Sequence, residues 1–453
     1  MLTAPPLTRD LVLVGGGHAH ALVLRQWGMN PLAGARLTVI NPGPTAPYTG
    51  MLPGHVAGHY SRDTLEIDLI ALARFAGARL ILSHATAIDR KARLIHVEGR
   101  GPVAYDAASI DIGITAQMGI EGFAEHATGA KPLNIYAQVW RDFLEAAAKG
   151  KEAPDIAVIG GGIAGCELAM AMAFALRGRG VAPKVTVIEA GPQISGMNAQ
   201  ARLKIGKAMS DLGVQVRTDA RIARITATHV HLEDQESVAV SLCVGAAGAF
   251  PHNWVAQTEL PQHNGFIVVD PDLRVQGDPH LFAVGDCAHM PFAPRPKAGV
   301  FAVRAAPVLH DNLRAVLSGG RLRPFKPQKS YLKLVSLGGK TALAEKYGIA
   351  IAAPLLWRWK DRIDRAFMNK LAQLPVMKAP APPAVVALSE ASEHLETPLC
   401  GGCGAKVGGS VLRGSLKASS TPDHADVVRA QGDDAAILRQ TGGGFQVLST
   451  DHL

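Results

Sequence analysis

The chain writes one plan twice, and that repeat limits the folds open to it more than any other feature. An apolar strand, Leu11 to Val14, runs into Gly15-Gly16-Gly17-His18-Ala19-His20 and then a helical stretch from Ala21. Later, Ile156 to Ile159 runs into Gly160-Gly161-Gly162-Ile163-Ala164-Gly165 and a helical stretch from Cys166 to Leu176. Each copy continues with a second apolar strand, Leu37 to Ile40 in one and Val185 to Ile188 in the other. A meander of short alternating strands follows: Arg79 to His84, Ala92 to Val97 and Val103 to Asp106, then Val214 to Arg217, His229 to Leu232 and Ser237 to Val240. Each copy closes on a glycine turn, Ile112-Gly113-Ile114-Thr115 and Val244-Gly245-Ala246-Ala247. A strand, glycine turn and helix recurring with the same downstream order predicts an α/β fold with two nested Rossmann-like dinucleotide-binding domains.

The glycines carry the chemistry. The first, Gly15 or Gly160, makes the tight turn, and the second lets backbone approach a pyrophosphate at the positive end of the helix. Gly15, Gly16, Gly17 and His18 are the candidates in the first copy; Gly160, Gly162 and Gly165 are those in the second. A glycine-rich turn with no ligand is the plain alternative, and the matching downstream strands argue against it. Glu189 ends the second strand of copy two, where a carboxylate accepts hydrogen bonds from an adenosine ribose. It would repel a 2′-phosphate, and Ala190-Gly191-Pro192 offers no Arg to hold one, so NADH is expected over NADPH. Copy one departs from the pattern at two positions. Asn41 replaces the acidic residue but can still bond a ribose, and His20 replaces the third glycine, which predicts looser helix–strand packing.

With 453 residues the chain has room for about three domains. Its net charge of +8 and pI of 9.3 suit anionic cofactors or an acidic membrane surface. There is no Lys/Arg tract interleaved with aromatics, so no nucleic acid is expected as a partner. Cys166, Cys243, Cys287, Cys400 and Cys403 are too few and too scattered for a disulfide framework. Met1 to Asp10 lacks the basic and apolar regions of a signal peptide, and no apolar run reaches the length of a membrane span. The expected location is cytoplasmic, compatible with peripheral contact at the inner face of a membrane; a homo-oligomer is also compatible.

A third signal is Leu281-Phe282-Ala283-Val284-Gly285-Asp286, a strand ending in Gly-Asp, followed by a helical run from Ala298. With it, the chain up to Asn369 resembles the two-dinucleotide flavoprotein reductases. Within them it is most similar to type II NADH dehydrogenases and sulfide:quinone reductase-like proteins. The resemblance implies FAD in the first copy and NADH in the second. It implies that Gly285 and Asp286 bind the flavin's ribityl chain. It implies too that the segment from Lys297 and Ala298 to Ala302 points a helix N-terminus at the flavin pyrimidine, where it would stabilise reduced flavin. The loop Tyr48-Thr49-Gly50-Met51-Leu52-Pro53-Gly54 is implied to lie beside the isoalloxazine ring, and Glu167 near the nicotinamide. A surface loop and a first-turn helix acid are the plain alternatives. No Cys-x4-Cys pair lies in the flavin half, which argues against the disulfide-reductase branch. Cys166 and Cys243 read as buried core and Cys287 as packing. Hydride transfer needs stacking and positioning, so no proton-transfer residue is expected.

Beyond Phe325, Ser330 to Leu337 reads as a strand. Leu355 to Met368 then reads as a basic helix with Leu356, Trp359, Ile363 and Phe367 on one stripe. Such a helix can lie in a bilayer interface or dock on the flavin domain by that stripe. Leu374 to Pro398 reads as a stiff Pro/Ala linker. After it come Cys400-Gly401-Gly402-Cys403-Gly404-Ala405-Lys406, then Gly432-Asp433-Asp434 and Leu448-Ser449-Thr450-Asp451. A Cys-x2-Cys suggests zinc, but no second cysteine pair is present. In order, the three pieces resemble the start of selenide, water dikinase (selenophosphate synthetase). The resemblance implies catalytic roles for Cys403 and Lys406 and magnesium held around ATP by Asp434 and Asp451. It covers Leu399 to Leu453, where that family would continue, so the segment reads as incomplete and without dikinase activity.

The domain plan expected is a FAD-binding domain over 1–125 and 265–325, with a NAD-binding domain over 126–264 inserted in it. A C-terminal oxidoreductase segment over 326–373, a linker over 374–398 and a small incomplete α/β segment over 399–453 follow. The expected activity is that of an NADH:acceptor oxidoreductase with FAD. Quinone, a sulfur or selenium species and a small protein all stay open as acceptor. The alternative is a flavoprotein scaffold carrying a selenium-binding or docking tail.

Overall fold

The computed structural model describes residues 7–116, 118–377, 426–429, 436–440 and 443–448. β1 (Arg9–Val14), β2 (Ala35–Asn41), β3 (Arg79–Leu82) and β4 (Ala107–Ile110) are parallel strands of one sheet. The chain then leaves it and builds a second parallel sheet. That sheet comprises β5 (Thr128–Gly129), β6 (Asp155–Ile159), β7 (Lys184–Ile188), β8 (Val214–Arg217) and β9 (Leu242–Gly245). It returns with β10 (Leu281–Ala283), which pairs with β4. The spatial orders, β10-β4-β1-β2-β3 and β5-β9-β6-β7-β8, repeat one order over four strands, while the edge strand is the last of its sheet in one and the first in the other. In each sheet the order reverses beside the first strand of the copy, which opens a crevice at the strands' carboxyl ends.

Helices cover these sheets, so the strands read as continuous apolar runs. Leu11 to Val14 are all at most 2% exposed, and each such leucine is worth roughly 1.5–3 kcal/mol of burial. α1 (His18–Met29) follows β1, and α2 (Leu52–Val56) follows the loop after β2. α3 (Leu133–Ala148) and α4 (Ile163–Gly178) belong to the second copy. α4 buries Ala169 through Ala173, Ala175 and Leu176, so it is apolar on nearly every side. α5 (Gly299–Ser318) follows β10 and packs along α1.

The structure changes three details of the sequence reading. Arg79–Leu82 and Val214–Arg217 join the main sheets, while the meanders are opened by Ala85–Asp89 and Ile222–Ile225. Alanines in the first of these leave almost no apolar alternation to read. The register of the repeat also differs. Val14 pairs with Ile110, and Ile159 with Gly245. The Asp111 amide donates to Val14 O at 2.8 Å just as the Ala246 amide donates to Ile159 O at 2.8 Å. Gly113 (φ +68°) therefore corresponds to Gly248 (φ +71°), not to Gly245.

The third difference lies after α5, where β11 (Lys333–Ser336), β12 (Ala342–Lys346) and β13 (Ile349–Ala353) form an antiparallel sheet. α6 (Pro354–Ala372) follows, opened by Pro354 in its first turn. Its buried side carries Trp357, Asp364, Met368 and Leu371, with Leu356 and Phe367 partly covered. Trp359 and Ile363, expected on the same stripe, face outward instead. The helix is rotated because Lys360 and Asp364 point inward to polar partners, a demand that an apolar stripe does not reveal.

Val427–Arg429, Ala436–Arg439 and Phe445–Leu448 make a small antiparallel sheet. Cys403, Lys406, Asp434 and Asp451 lie outside the described residues. No helix among the described residues is long and apolar enough to cross a membrane.

Candidate dinucleotide-binding sites

In the second sheet Gly160 takes φ +107°, and Gly162 is the N-cap residue of α4. A Cβ on Gly165 would collide with the Gly160 carbonyl, so only glycine lets α4 start this close to β6. A Cβ on Gly162 would meet nothing nearer than Ser195 Oγ at 3.7 Å, which leaves the helix N-terminus open to an anion. Glu189, directly after β7, accepts hydrogen bonds from the amides of Gly161 at 2.7 Å and Gly191 at 2.8 Å. The open N-terminus of α4 fits a pyrophosphate, and the Glu189 carboxylate fits as an acceptor for ribose hydroxyls.

In the first sheet Gly15 takes φ +90°, and a Cβ there would collide with the Asp111 carbonyl. The Gly16 amide donates to Asn41 Oδ1 at 2.9 Å, and Asn41 Nδ2 donates to Gly43 O at 2.7 Å. Asn41 thus fills the place that Glu189 fills in the other copy. His20 does not loosen the packing, contrary to the sequence expectation. It is fully buried, and burial lowers its pKa to about 4. The neutral ring donates from Nδ1 to Gly15 O at 2.7 Å and accepts at Nε2 from Ser109 Oγ at 2.8 Å. A polar bridge replaces the close glycine contact.

One residue of this cradle was not foreseen. Asp111 Oδ2 accepts the amides of Ala19 at 2.9 Å and His20 at 3.2 Å at the start of α1. Its carboxyl lies so close to Gly17 and Gly285 that a Cβ on either would collide with it. Burial raises its pKa to about 7 against the pull of the two amides, and Asp286 adds to the rise.

Gly285 and Asp286 form a short turn after β10, with Asp286 Oδ2 at 3.8 Å from Lys131 Nζ. Ala298 is the N-cap residue of α5, and Lys297 Nζ donates to Ala288 O at 2.6 Å beside the Phe266 ring. Gly285, Asp286, Ala288, Lys297 and Ala298 line a cavity of about 80 Å³. Cys287 lies beneath, its Sγ donating to Val284 O at 3.1 Å. Burial pushes the thiols of Cys166, Cys243 and Cys287 up to about 12, so none supplies a thiolate.

Thr49, Gly50 and Met51 form a single turn, and Leu52 opens α2. This segment is not an open surface loop, because α6 covers it. Lys360 Nζ donates to Gly50 O and to Asp364 Oδ2, both at 2.7 Å, and Tyr48 OH donates to Asp364 Oδ1 at 2.9 Å. The Tyr48 ring lies 4.8 Å from Phe367 and 5.3 Å from His18, centroid to centroid. Glu167 reaches the same region from α4, accepting the Ser336 amide at 2.6 Å. Its burial raises the carboxyl to about 7, opposed by the charge of Lys360. Burial likewise raises Asp364 and the Tyr48 phenol. The structure thus gathers His18, Tyr48, Gly50, Glu167, Lys360 and Asp364, of which Lys360 and Asp364 escaped the sequence reading. No local signal marked them, because both fall among the charged residues of that helix.

Residues 9–306 match the family described as pyridine nucleotide-disulphide oxidoreductase. The NADH dehydrogenase-like protein YutJ of Bacillus subtilis is 24% identical over 358 residues, covering 77% of this chain and 95% of that protein. The solved structure of NDH2 from Plasmodium falciparum in complex with NADH superposes with a TM-score of 0.69 at 14% identity, covering 82% of this chain and 100% of that one. The sulfide:quinone oxidoreductase of Aquifex aeolicus superposes with a TM-score of 0.68 at 17% identity, covering 81% and 92%. The sheets and glycine turns are those of a FAD- and NAD-dependent oxidoreductase. The chain belongs to the pyridine nucleotide-disulphide oxidoreductase family.

Proposed function

We propose that the chain is an NADH:quinone oxidoreductase that holds FAD in the cradle of Gly15–Gly17, holds NADH in the cradle of Gly160–Gly165, and works at a membrane surface. One observation carries the reading: each glycine turn has its second amide held by an acceptor side chain from the end of the neighbouring strand, Asn41 in one and Glu189 in the other. That is the outline of two dinucleotide sites in one chain. The FAD domain then spans 1–125 and 265–325, with the NAD domain over 126–264 between.

Bound FAD supplies the relay that takes two electrons from NADH and hands them on singly or in pairs. The residues of this chain place it. Asp286 would accept hydrogen bonds from the ribityl hydroxyls, the N-terminus of α5 at Ala298 would face the pyrimidine, and Thr49 to Leu52 would lie along the ring. Converting NADH and a quinone to NAD⁺ and a quinol consumes one proton from solution. Glu167, its carboxyl raised to about 7, exchanges a proton near neutral pH, and Lys360 Nζ donates to Gly50 O at the ring-side turn.

A lipid-soluble quinone is favoured by the outer face of the C-terminal unit. Tyr347, Ile349, Ile351, Leu355, Trp359 and Ile363 are between 43% and 78% exposed there. Lys346, Arg358 and Arg362, beside these residues in the chain, are exposed as well. Apolar anchors interspersed with basic side chains along the chain suit the surface of an anionic bilayer. The second reading, a selenium or sulfur acceptor served by the tail of Cys403 and Lys406, rests on sequence motifs alone. The deciding experiment is a stopped-flow screen of acceptors against NADH-reduced protein. A quinone analogue should oxidise it fastest, and polysulfide or a selenite–thiol adduct outpacing quinone would favour the second reading.

A further inference from the structure

The two cradles differ at one position that the repeat makes equivalent. After β9 the residue is Ala246, which has no side chain to reach across to α4. After β4 it is Asp111, whose carboxyl bridges to the amides of Ala19 and His20 at 2.9 and 3.2 Å and fills the gap between Gly17 and Gly285. With the first cradle read as the FAD site, the glycine loop on one side of that gap meets the pyrophosphate and the Gly-Asp turn on the other meets the ribityl chain. A carboxylate already sits on them.

We propose that Asp111 is a resident anion of the flavin cradle, occupying helix amides that the FAD pyrophosphate needs, so that loading the cofactor carries a proton onto its carboxyl. The proposal rests on the reading that the first cradle is the FAD site. Two negative groups cannot share one helix N-terminus without strong repulsion, whereas a neutral carboxyl can share it and donate a hydrogen bond to a phosphate oxygen. Binding an anion beside Asp111 therefore raises its pKa further, and the linkage has a definite sign. Below about 7 the carboxyl is already neutral in the empty protein, so affinity for FAD is flat with pH. Above it, each FAD bound must take up a proton, and affinity falls by up to about tenfold per pH unit.

The groups facing Asp111 do not supply this effect. From α1, His20 and His18 are held neutral by burial. From the Gly-Asp turn, the Cys287 thiol is pushed up to about 12, and Asp286 is paired with Lys131 at 3.8 Å. Ser109, beside it on β4, is occupied by His20.

The test is rebinding of FAD to flavin-stripped protein, followed by flavin fluorescence from about pH 6 to about pH 9, with proton uptake read by an indicator dye in weak buffer. Native protein, Asp111→Asn and Asp111→Ala are compared. Asn keeps an acceptor for the Ala19 and His20 amides, and Ala is the residue the second cradle carries. Native affinity should be level below about pH 7 and decline above it, with uptake approaching one proton per FAD. Both variants should be level throughout, take up no proton, and bind at least about tenfold more tightly than native protein at the alkaline end. A native affinity independent of pH, or the same slope in all three proteins, overturns the proposal alone. Loss of FAD from both variants at every pH also overturns it and makes Asp111 a required ligand. If no form binds FAD while NADH still binds, the first-cradle reading falls and this proposal falls with it.

Discussion

The Gly161 amide donates to the carboxylate of Glu189 at 2.7 Å, which fixes a negative charge at the rim of the second cradle. A 2′-phosphate would have to sit against that charge. The repulsion, screened by solvent, is on the order of 1.4–3 kcal/mol, or about tenfold to a hundredfold in rate. NADH should reduce the bound flavin faster than NADPH by that factor in stopped flow. Glu189→Ala should shrink the preference, and Glu189→Arg should reverse it. Equal rates with the two nucleotides in the native protein would contradict the assignment.

The two glycine turns should fail in different ways. Gly15 and Gly160 both have positive φ, and a Cβ on either would collide with backbone just past a neighbouring strand, at Asp111 and Ala247. A valine at either is strained and obstructed. Gly160→Val should keep FAD but lose reduction by NADH, whereas Gly15→Val should yield colourless or poorly folded protein. Flavin content by absorbance and reduction by NADH distinguish them, and swapped phenotypes would reverse the site assignment.

Glu167 sets a pH dependence of stability. Its carboxyl titrates at about 7 in the folded protein against an ordinary value of 4.5. As pH rises between those values the unfolded chain releases the proton first, so native stability declines across that window and levels above it. Glu167→Gln removes this decline. Relative to native protein, the variant should gain on the order of 2 kcal/mol between the bottom and the top of the window, measured by urea unfolding. Identical pH profiles would show that the carboxyl is not buried as described.

The exposed apolar face should partition onto anionic vesicles. Leu355→Ser combined with Trp359→Ser removes two of its largest anchors, which are 71% and 46% exposed. Vesicle binding in a flotation assay should fall at least about tenfold, with NADH oxidation by a water-soluble acceptor unchanged. Unaltered flotation would remove the membrane from the proposed function.

The sequence made the two sheets readable because each strand is buried on both faces and each turn needs glycine for a stated reason. It concealed what depends on contacts across the fold. Asp111 escaped because Gly113 aligns by eye with Gly245, whereas the hydrogen bonds to Val14 and Ile159 pair Asp111 with Ala246. His20 read as a missing glycine, but its role as a bridge depends on Ser109, far along the chain. Lys360 and Asp364 looked like the wet side of an amphipathic helix. Their partners, Gly50 and Tyr48, lie more than 300 residues earlier, and no local periodicity records such a pairing.

The most direct measurement is anaerobic titration of the purified protein with NADH, followed by the visible absorbance of its flavin. The native protein should carry one FAD, bleach with one equivalent of NADH, and recover its colour on addition of a quinone analogue. A protein that binds no flavin, or a bound flavin that NADH leaves oxidised, would contradict the account.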